Sequence, residues 1–257
     1  MKNESGYQFA AIIPARYAST RFPGKPLAMI GNKSMIHRVY EQALKSIDLV
    51  YIATDDQRIY EAARQFGGNV VMTSPDHPSG TDRCAEAAGK IMAETGINVD
   101  VVVNVQGDEP FIKPEQIDLL KSCFGDKKTE LATLVRKVSP GEDIFNPNQP
   151  KVILDAGGNA IYFSRAAIPF VRDSPSSEWT EKHTYYKHLG MYAYRSDILK
   201  KITKLARSPL EKAESLEQNR WIENGMKIRC AVTIWESFGI DTPEDLDKAL
   251  RLYDHFI

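Results

Sequence analysis

Three cationic side chains, Arg16, Arg21 and Lys25, lie close together near the start of this 257-residue chain. They follow the apolar run 9–13, which predicts a buried first strand. In open α/β sheets, ligands bind where such strands end and their loops begin. Backbone N–H groups and positive charge at that place suit a polyanion. The loop is therefore predicted to bind phosphates, and a nucleoside triphosphate is the obvious candidate.

The remaining residues of this loop suit the same role, although they match no common phosphate-binding motif. Pro14, Pro23 and Pro26 stiffen the backbone, and Gly24 permits a positive φ or the close approach of a phosphate. The spacing is not that of a Walker P-loop, and no GxGxxG follows the strand. Taken alone, the loop could equally be a solvated basic surface, so the choice depends on the rest of the chain.

Length, charge and cysteine content exclude several classes of protein. A chain of 257 residues can bury one large α/β core or two smaller ones. The net charge of −1 lacks the basic signature of nucleic-acid-binding proteins. No apolar run is long enough to span a bilayer, so no membrane partner and a cytoplasmic location are expected. The three cysteines are far apart and lack zinc-site spacing, so reduced thiols are expected.

Apolar runs alternate with helical patterns through the first half of the chain. This rhythm predicts a doubly wound, mostly parallel sheet, which is an α/β fold. The predicted strands are 9–13, 49–53, 70–73, 101–105 and 131–135. The predicted helices are 35–47, 56–66, 81–94 and 114–123.

The pattern changes after residue 138, where prolines interrupt it. Two strands, 151–154 and 160–163, are predicted to form a hairpin, and residues 173–182 to form a polar, mobile loop. A half-buried strand is predicted at 188–194. The pattern then predicts a helix at 209–224, a strand at 226–232 and a closing helix at 243–253. We interpret residues 1–257 as one domain, with 139–195 as a β-rich excursion within it.

Separated motifs occur in a characteristic order: the loop 12–26, Asn104-Val105-Gln106-Gly107-Asp108-Glu109-Pro110, Phe145-Asn146-Pro147-Asn148, Ser164-Arg165-Ala166-Ala167-Ile168-Pro169, His188-Leu189-Gly190 and Gly239-Ile240-Asp241-Thr242-Pro243-Glu244-Asp245. Together they resemble the 3-deoxy-manno-octulosonate cytidylyltransferase family over residues 9–252. Departures fall in 173–182 and 235–238. The resemblance implies a Rossmann-like fold of the nucleotide-diphospho-sugar transferase type. It also implies a homodimer formed through the β-rich excursion, which would help to bind the sugar.

The same resemblance implies the reaction and its site. CTP and 3-deoxy-manno-octulosonate (Kdo) would give CMP-Kdo and pyrophosphate for lipopolysaccharide biosynthesis, with Mg²⁺. The implied catalytic residues are Arg16, Lys25, Asp108 and Asp241, and the implied metal ligands are Asp108 and Asp241. The implied nucleotide-binding residues are Pro14, Ala15, Arg16, Lys25, Ser79, Gly80, Thr81 and Gln106. The implied sugar-binding residues are Gln106, Arg165, His188, Tyr192 and Glu217.

The chemistry of these residue types agrees with the implied roles but leaves simpler roles open. Asp108 and Asp241 each follow a predicted strand, so both carboxylates can meet at one sheet edge and offer the hard oxygens that Mg²⁺ prefers. Either could instead cap a turn or helix, and Thr81 could be an N-cap. His188 and Tyr192 share one face of their predicted strand.

Simpler roles also exist for the sugar-binding set. His188 could be a structural histidine, Tyr192 a core aromatic, and Glu217 a solvated helix charge. Among functions, a cytidylyltransferase for sialic acid or 8-amino-Kdo is the nearest alternative. A non-catalytic nucleotide-binding protein is the other alternative, but it would be expected to have lost a metal carboxylate. Both carboxylates are present.

Overall fold

The alternating apolar runs form a nine-stranded sheet and a separate two-stranded ribbon in the computed structural model, which describes residues 6–236 and 238–251. The strands are β1 Phe9–Ala15, β2 Met29–Ile30, β3 Lys33–Ser34, β4 Val50–Thr54, β5 Val70–Met72, β6 Val101–Asn104, β7 Leu131–Lys137, β8 Lys151–Leu154, β9 Ala160–Ser164, β10 Tyr186–Arg195 and β11 Ile228–Thr233. The helices are α1 Met35–Leu44, α2 Gln57–Gln65, α3 Gly80–Thr95, α4 Pro114–Ser122, α5 Trp179–Lys182, α6 Ser196–Ile202, α7 Pro209–Glu214, α8 Glu217–Glu223 and α9 Pro243–Arg251. In the described part of the chain, no helix has the length and apolar character needed to cross a membrane.

The main sheet is mostly parallel, with strand order β11-β7-β10-β6-β1-β4-β5. β1 pairs in parallel with β4 and β6, β4 with β5, and β7 with β11. β10 is antiparallel to both of its neighbours, β6 and β7. The hairpin of β8 and β9 joins the sheet through β10. The carboxyl ends of β1 and β6 therefore meet at one edge, where the cationic loop begins.

Helices cover both faces of this sheet, so its central strands are buried on both sides. Along β1, alternate side chains enter two different cores. One core receives apolar side chains from α1, α2 and α4, and the other receives them from α3, α6 and α8. This three-layer arrangement confirms the predicted doubly wound α/β fold.

The predictions for the first half of the chain are confirmed, with element ends within three residues of those expected. The hairpin is also confirmed, as β8 and β9. The closing helix is observed over Pro243–Arg251, and the predicted residues 252 and 253 lie outside the described residues.

The predicted helix 209–224 is wrong, because the chain forms two helices there. Ser215 has a left-handed backbone with φ 51° that ends α7. This break lets Leu216 enter the core while Glu217 turns toward the start of α3. No glycine or proline marks the position, so the sequence pattern gave no sign of the break.

The prediction of a polar loop over 173–182 is also wrong in part. A 3₁₀ turn, Ser176–Glu178, leads into the short helix α5. Trp179 anchors the segment, since it is only 6% exposed and its Nε1 donates to the carbonyl of Ser174 at 3.1 Å. Burial of one large aromatic side chain outweighs the polar composition around it. Helix α6 was not predicted.

Candidate active site

The loop after β1 is held in shape by Gly24 and the ring of Tyr17. Gly24 has φ 72°, as the sequence suggested, and its N–H donates to the carbonyl of Tyr17 at 3.0 Å. A Cβ at this glycine would lie 3.0 Å from the Tyr17 ring. The guanidinium of Arg58, from the start of α2, lies 3.3 Å from the centre of the same ring. Lys25 then begins the 3₁₀ turn Lys25–Leu27.

A cavity of about 320 Å³ opens at the carboxyl ends of β1 and β6. It gathers every predicted nucleotide-binding residue except Thr81, together with both predicted metal carboxylates. Its lining residues are Pro14, Ala15, Arg16, Ser19, Arg21, Lys25, Pro26, His77, Pro78, Ser79, Gly80, Arg83, Gln106, Gly107, Asp108 and Asp241. The predicted polyanion loop therefore forms one wall of a cavity with three cations on it.

Gly107 allows the two strand ends to approach each other closely. A Cβ at this position would lie 2.9 Å from the carbonyl oxygen of Pro14, a contact that backbone atoms cannot relieve by rotation. The glycine is therefore required by the packing of the turn against β1. This packing places Gln106 and Asp108 beside the cationic loop.

The carboxylates of Asp108 and Asp241 converge on one ammonium group. Lys25 Nζ donates to Asp108 Oδ2 at 2.7 Å and to Asp241 Oδ1 at 3.1 Å. Arg21 Nη2 lies 3.1 Å from Asp241 Oδ2. A backbone bond draws the two loops together, since the N–H of Ile240 donates to the carbonyl of Asp108 at 2.9 Å. Arg16 is exposed, lines the cavity and has no ion-pair partner among the described residues.

Asp241 does not cap the helix that follows it. The cap belongs to Thr242, whose Oγ1 accepts from the N–H of Asp245 at 3.2 Å, while Asp245 Oδ2 accepts from the N–H groups of Asp241 and Thr242. The carboxylate of Asp241 is thus left for Lys25 and Arg21. The alternative role of this residue as a simple cap is therefore wrong.

The start of α3 forms the opposite wall of the cavity. Ser79 is the N-cap, and its Oγ accepts from the N–H of Asp82 at 3.2 Å. Thr81 is not the cap and is only 3% exposed. Its hydroxyl donates to Glu217 Oε2 at 2.7 Å, and the Ser79 hydroxyl lies 3.1 Å from Glu217 Oε1. Thr81 therefore does not line the cavity, whereas its neighbours Ser79 and Gly80 do.

Glu217 is a partly buried carboxylate, with its side chain 25% exposed, rather than a solvated helix charge. Burial raises its pKa above the usual value, while hydrogen bonds from Thr81 and Ser79 and the charge of Arg220 act in the opposite direction. Arg220 Nη2 donates to Glu217 Oε1 at 2.6 Å. The solvated-charge interpretation is therefore wrong, and Glu217 joins α8 to the rim of the cavity.

His188 and Tyr192 lie together on β10, as the sequence predicted. Their ring centres are 5.3 Å apart. Burial lowers the pKa of His188 to about 3 and raises that of Tyr192 well above its usual value. Gln106 Nε2 donates to the carbonyl of Gly190 at 2.9 Å, which ties the cavity to this strand.

Among the predicted sugar-binding residues, Gln106 lines the cavity, whereas Arg165, His188, Tyr192 and Glu217 do not. The side chain of Arg165 is held by backbone groups. Its guanidinium donates to three backbone carbonyls, those of Glu214 at 2.7 Å, Pro147 at 2.8 Å and Ser215 at 3.3 Å. These bonds join the loop after β9 to the end of α7. In this arrangement the guanidinium has a structural role, because it bonds backbone carbonyls from separate segments of the chain.

A second, wider cavity of about 810 Å³ lies at the edge of β11, near the hairpin turn at Gly157 and Gly158. It contains no predicted site residue, and Arg229, which lines it, already donates to the carbonyl of Gly157. Its volume is larger, but it lacks the several cations that a polyanion requires. We therefore place the active site in the smaller cavity.

Comparisons with known proteins identify the family of the chain. The sequence profile of the family described as "Cytidylyltransferase" matches residues 10–228. The 3-deoxy-manno-octulosonate cytidylyltransferase of Parabacteroides distasonis is 57% identical over 247 residues, covering 95% of this chain and 97% of that protein. That of Bacteroides thetaiotaomicron is 56% identical over 245 residues, covering 94% and 96%. The chain belongs to the 3-deoxy-manno-octulosonate cytidylyltransferase family.

A solved structure of CMP:2-keto-3-deoxy-manno-octonic acid synthetase, complexed with CTP, has the same fold. It superposes with a TM-score of 0.88 at 39% identity, covering 97% of this chain and 100% of that one. The comparisons therefore confirm two predictions from the sequence. The fold is the predicted α/β fold with a mostly parallel sheet, and the enzyme class is nucleotidyltransferase.

His77 lines the cavity and is held by Glu86, and neither residue was predicted from the sequence. The Nε2 of His77 pairs with Glu86 Oε2. Glu86 also accepts from the N–H of Ser74 at 2.9 Å and lies 2.7 Å from Lys90 Nζ. The sequence offered one indication that His77 could lie at the site: it closely precedes the Ser79-Gly80-Thr81 motif.

The donor set of this family member fits a magnesium ion that is shared with a nucleotide. Asp108 Oδ2 and Asp241 Oδ1 both lie within 3.1 Å of one cationic nitrogen, so their oxygens face a common point. The described residues contain no cluster of three or more histidine, cysteine or acidic side chains that could hold a metal. Mg²⁺ at phosphates is held by one or two carboxylates, with phosphate oxygens and water completing its shell.

Proposed function

We propose that this chain transfers CMP from CTP to the anomeric hydroxyl of Kdo, giving CMP-Kdo and pyrophosphate. The observation that carries the proposal is the pair of carboxylates, Asp108 and Asp241, set against Arg16, Arg21 and Lys25 in one cavity. Membership of the family and the CTP bound to the related synthetase support it.

The proposed chemistry is a displacement at phosphorus. The anomeric hydroxyl of the sugar releases its proton to solvent, its oxygen forms a bond to the α-phosphorus of CTP, and the bond from that phosphorus to the bridging oxygen breaks. Pyrophosphate leaves with the bonding electrons. Catalysis then consists of aligning the two substrates and neutralising charge on the triphosphate. Arg16 is free to contact phosphate, and Arg21 and Lys25 can exchange their carboxylate partners for it.

We propose that Asp108 and Asp241 hold Mg²⁺ when nucleotide binds. The ion would supply positive charge to the phosphates, and the two carboxylates would supply its protein oxygens. Lys25 must then give up one or both carboxylates, which would free its ammonium group for the leaving pyrophosphate. Pro14, Ala15, Ser79 and Gly80 would surround the rest of the nucleotide.

The sugar acid would lie between the cavity and β10. Glu217 offers acceptor oxygens for hydroxyl groups, and Gln106 contacts the backbone of the strand that carries His188 and Tyr192. Arg165 would reach the sugar carboxylate only by leaving its backbone carbonyls. We therefore propose Gln106, His188, Tyr192 and Glu217 as the direct contacts.

We also propose that the enzyme works as a homodimer in the cytoplasm. Support for the dimer comes from two exposed aromatic side chains within the 139–195 excursion. Phe145 is 51% exposed and Phe170 74% exposed, and both pack against Trp179. Exposed apolar surface of this kind is typical of contact sites. Sedimentation of wild type and Phe170→Glu would test it, with dimer expected for wild type and monomer for the variant.

Pyrophosphate release tests the reaction. The purified chain is assayed with each of four nucleoside triphosphates against Kdo, 8-amino-Kdo and sialic acid, with and without Mg²⁺. Release is expected with CTP and Kdo, to depend on Mg²⁺ and to be weak with sialic acid. An Asp108→Asn variant is the control for contaminating activity. Release with sialic acid at a rate equal to or above that with Kdo would overturn the sugar assignment.

A further inference from the structure

Thr133 lies on β7, fully buried, opposite an irregularity in β10. The pairing register shifts between Leu189 and Tyr192, so the backbone of β10 bulges at this point. The Thr133 Oγ1 reaches into the bulge. It lies 2.8 Å from the carbonyl oxygen of Met191, 3.3 Å from that of Leu189 and 2.9 Å from Nε2 of His188.

The single hydroxyl hydrogen of Thr133 can serve only some of these contacts. Carbonyl oxygens accept and never donate, so the hydrogen must point at Met191 or Leu189 for either of those contacts to be a hydrogen bond. If it pointed at His188, both carbonyl contacts would be lost inside the core. Leaving a buried polar group unsatisfied costs roughly 1–3 kcal/mol. The hydroxyl therefore acts as the acceptor toward His188.

A hydroxyl that accepts requires a nitrogen that donates, so Nε2 of His188 carries a hydrogen. Burial holds the pKa of His188 near 3, and the ring is neutral at physiological pH. A neutral imidazole has one N–H group, and its other nitrogen has a lone pair. The rings of Phe163 and Tyr192, at centre distances of 4.9 and 5.3 Å, enclose the imidazole and limit its rotation.

We propose that Thr133 is a positioning residue that fixes His188 in its Nε2–H tautomer and so makes Nδ1 a hydrogen-bond acceptor for a hydroxyl of the sugar acid. The inference rests on the proposed function, because it assigns His188 a partner within that substrate. Nδ1 then joins Glu217 as a second acceptor. Two acceptors recognise hydroxyl donors, whereas a protonated histidine would recognise a carboxylate.

The tautomer can be measured directly in the wild-type protein, without any variant. The chain is produced with ¹⁵N-labelled histidine, and the His188 signals are identified by their loss in His188→Gln. Correlations between ring nitrogens and carbon-bound protons distinguish the two neutral tautomers. The Nε2–H pattern is expected for His188 at neutral pH. An Nδ1–H pattern, or a doubly protonated ring, would overturn the proposal.

Two variants test the link to Thr133. Thr133→Val keeps the shape but removes the hydroxyl, and Thr133→Ser keeps the hydroxyl. The valine variant is expected to lose the single Nε2–H pattern and to raise KM for Kdo about tenfold, the loss expected for one hydrogen bond, with KM for CTP almost unchanged. The serine variant is expected to restore both the spectrum and KM. Equal increases in both KM values, or no rescue by serine, would show a purely structural role.

The proposed reaction and the proposed role of Thr133 can be disproved independently. If wild type releases no pyrophosphate from CTP and Kdo, the proposed function falls, while the tautomer spectrum still decides the role of Thr133. If Thr133→Val changes the spectrum without raising KM for Kdo, the acceptor role of Nδ1 is overturned.

Discussion

Asp241 and Thr242 are neighbours at the start of α9, yet their side chains perform different tasks. Asp241 faces Lys25 and Arg21 across the cavity, and Thr242 caps the helix. The sequence predicted a role at this point but could not assign it to one residue, because both types are good caps. The ion pair joins positions 216 residues apart, so no local pattern reveals it.

Asp241→Asn should therefore reduce turnover by roughly two or more orders of magnitude, as expected when a preorganised charge in the transition state is lost. Its thermal unfolding should be nearly unchanged, and its magnesium requirement should rise. Thr242→Val is the matched control and should lose about 1 kcal/mol of stability while keeping most of its turnover. Turnover and calorimetric unfolding measured on both variants check this. A stable Asp241→Asn enzyme with normal turnover would remove Asp241 from the site.

At the scale of elements, helix α2 supports a loop that it does not belong to. Asp56 caps the helix, and its carboxylate binds Arg58 at 2.9 and 2.7 Å. Arg58 lies over the Tyr17 ring, and that ring lies against Gly24, next to Lys25. The sequence predicted both the helix and the loop. It did not predict the contact, since a long side chain can turn in many directions from a helix end.

Arg58→Gln should raise KM for CTP about threefold with little change in kcat, because the loop loses a weak, exposed cation–π contact. Steady-state kinetics with varied CTP measure this. Arg64→Gln is the control, since it removes the same charge from an exposed position on the same helix. Tyr17→Phe should behave as wild type, and Tyr17→Ala as Arg58→Gln or worse. Equal effects of Arg58→Gln and Arg64→Gln would mean that overall charge, not loop support, sets the affinity.

At the scale of the whole molecule, a partly buried ionic contact between Glu86 and His77 ties α3 to the chain before it. Burial alone would raise the pKa of Glu86, but hydrogen bonds from Lys90, the Ser74 N–H and His77 lower it to about 2. A carboxyl group with a lowered pKa in the folded state stabilises the fold above its unfolded value of 4.5. That stabilisation is lost as pH falls from 4.5 toward 2.

Glu86→Gln should therefore be less stable than wild type at pH 7 by roughly 1 kcal/mol, because solvent screens part of the effect of the lowered pKa, and the difference should shrink toward zero near pH 2. Urea unfolding at several pH values between these limits measures it. Glu94→Gln, an exposed change on the same helix, should show almost no difference at any pH. A Glu86→Gln deficit that stays constant with pH would indicate lost packing in place of lost charge.

The sequence predicted the order of most elements, because hydrophobic period and turn residues act locally. It did not predict the position of β10 within the sheet. β10 alternates like an ordinary half-buried strand, and nothing in that pattern distinguishes the edge of a sheet from its centre. The sequence also did not predict where the side chains of Glu217 and Arg165 lie. Their positions depend on the helix break at Ser215, a left-handed residue that is not a glycine.

The central position of β10 has a consequence for how the chain is made. β6 and β7 are consecutive strands of the main sheet along the chain, yet they do not pair, because β10 lies between them. A nascent chain that has emerged only as far as β7 therefore leaves open the edges of β6 and β7 that β10 covers in the folded protein. Such edges are prone to pair with other chains. β6 and β7 can be joined only after residue 195, the last residue of β10, has been synthesised. We therefore expect fragments that end at residue 137 to aggregate and fragments that contain β10 to stay dispersed. Light scattering of purified fragments would measure this difference.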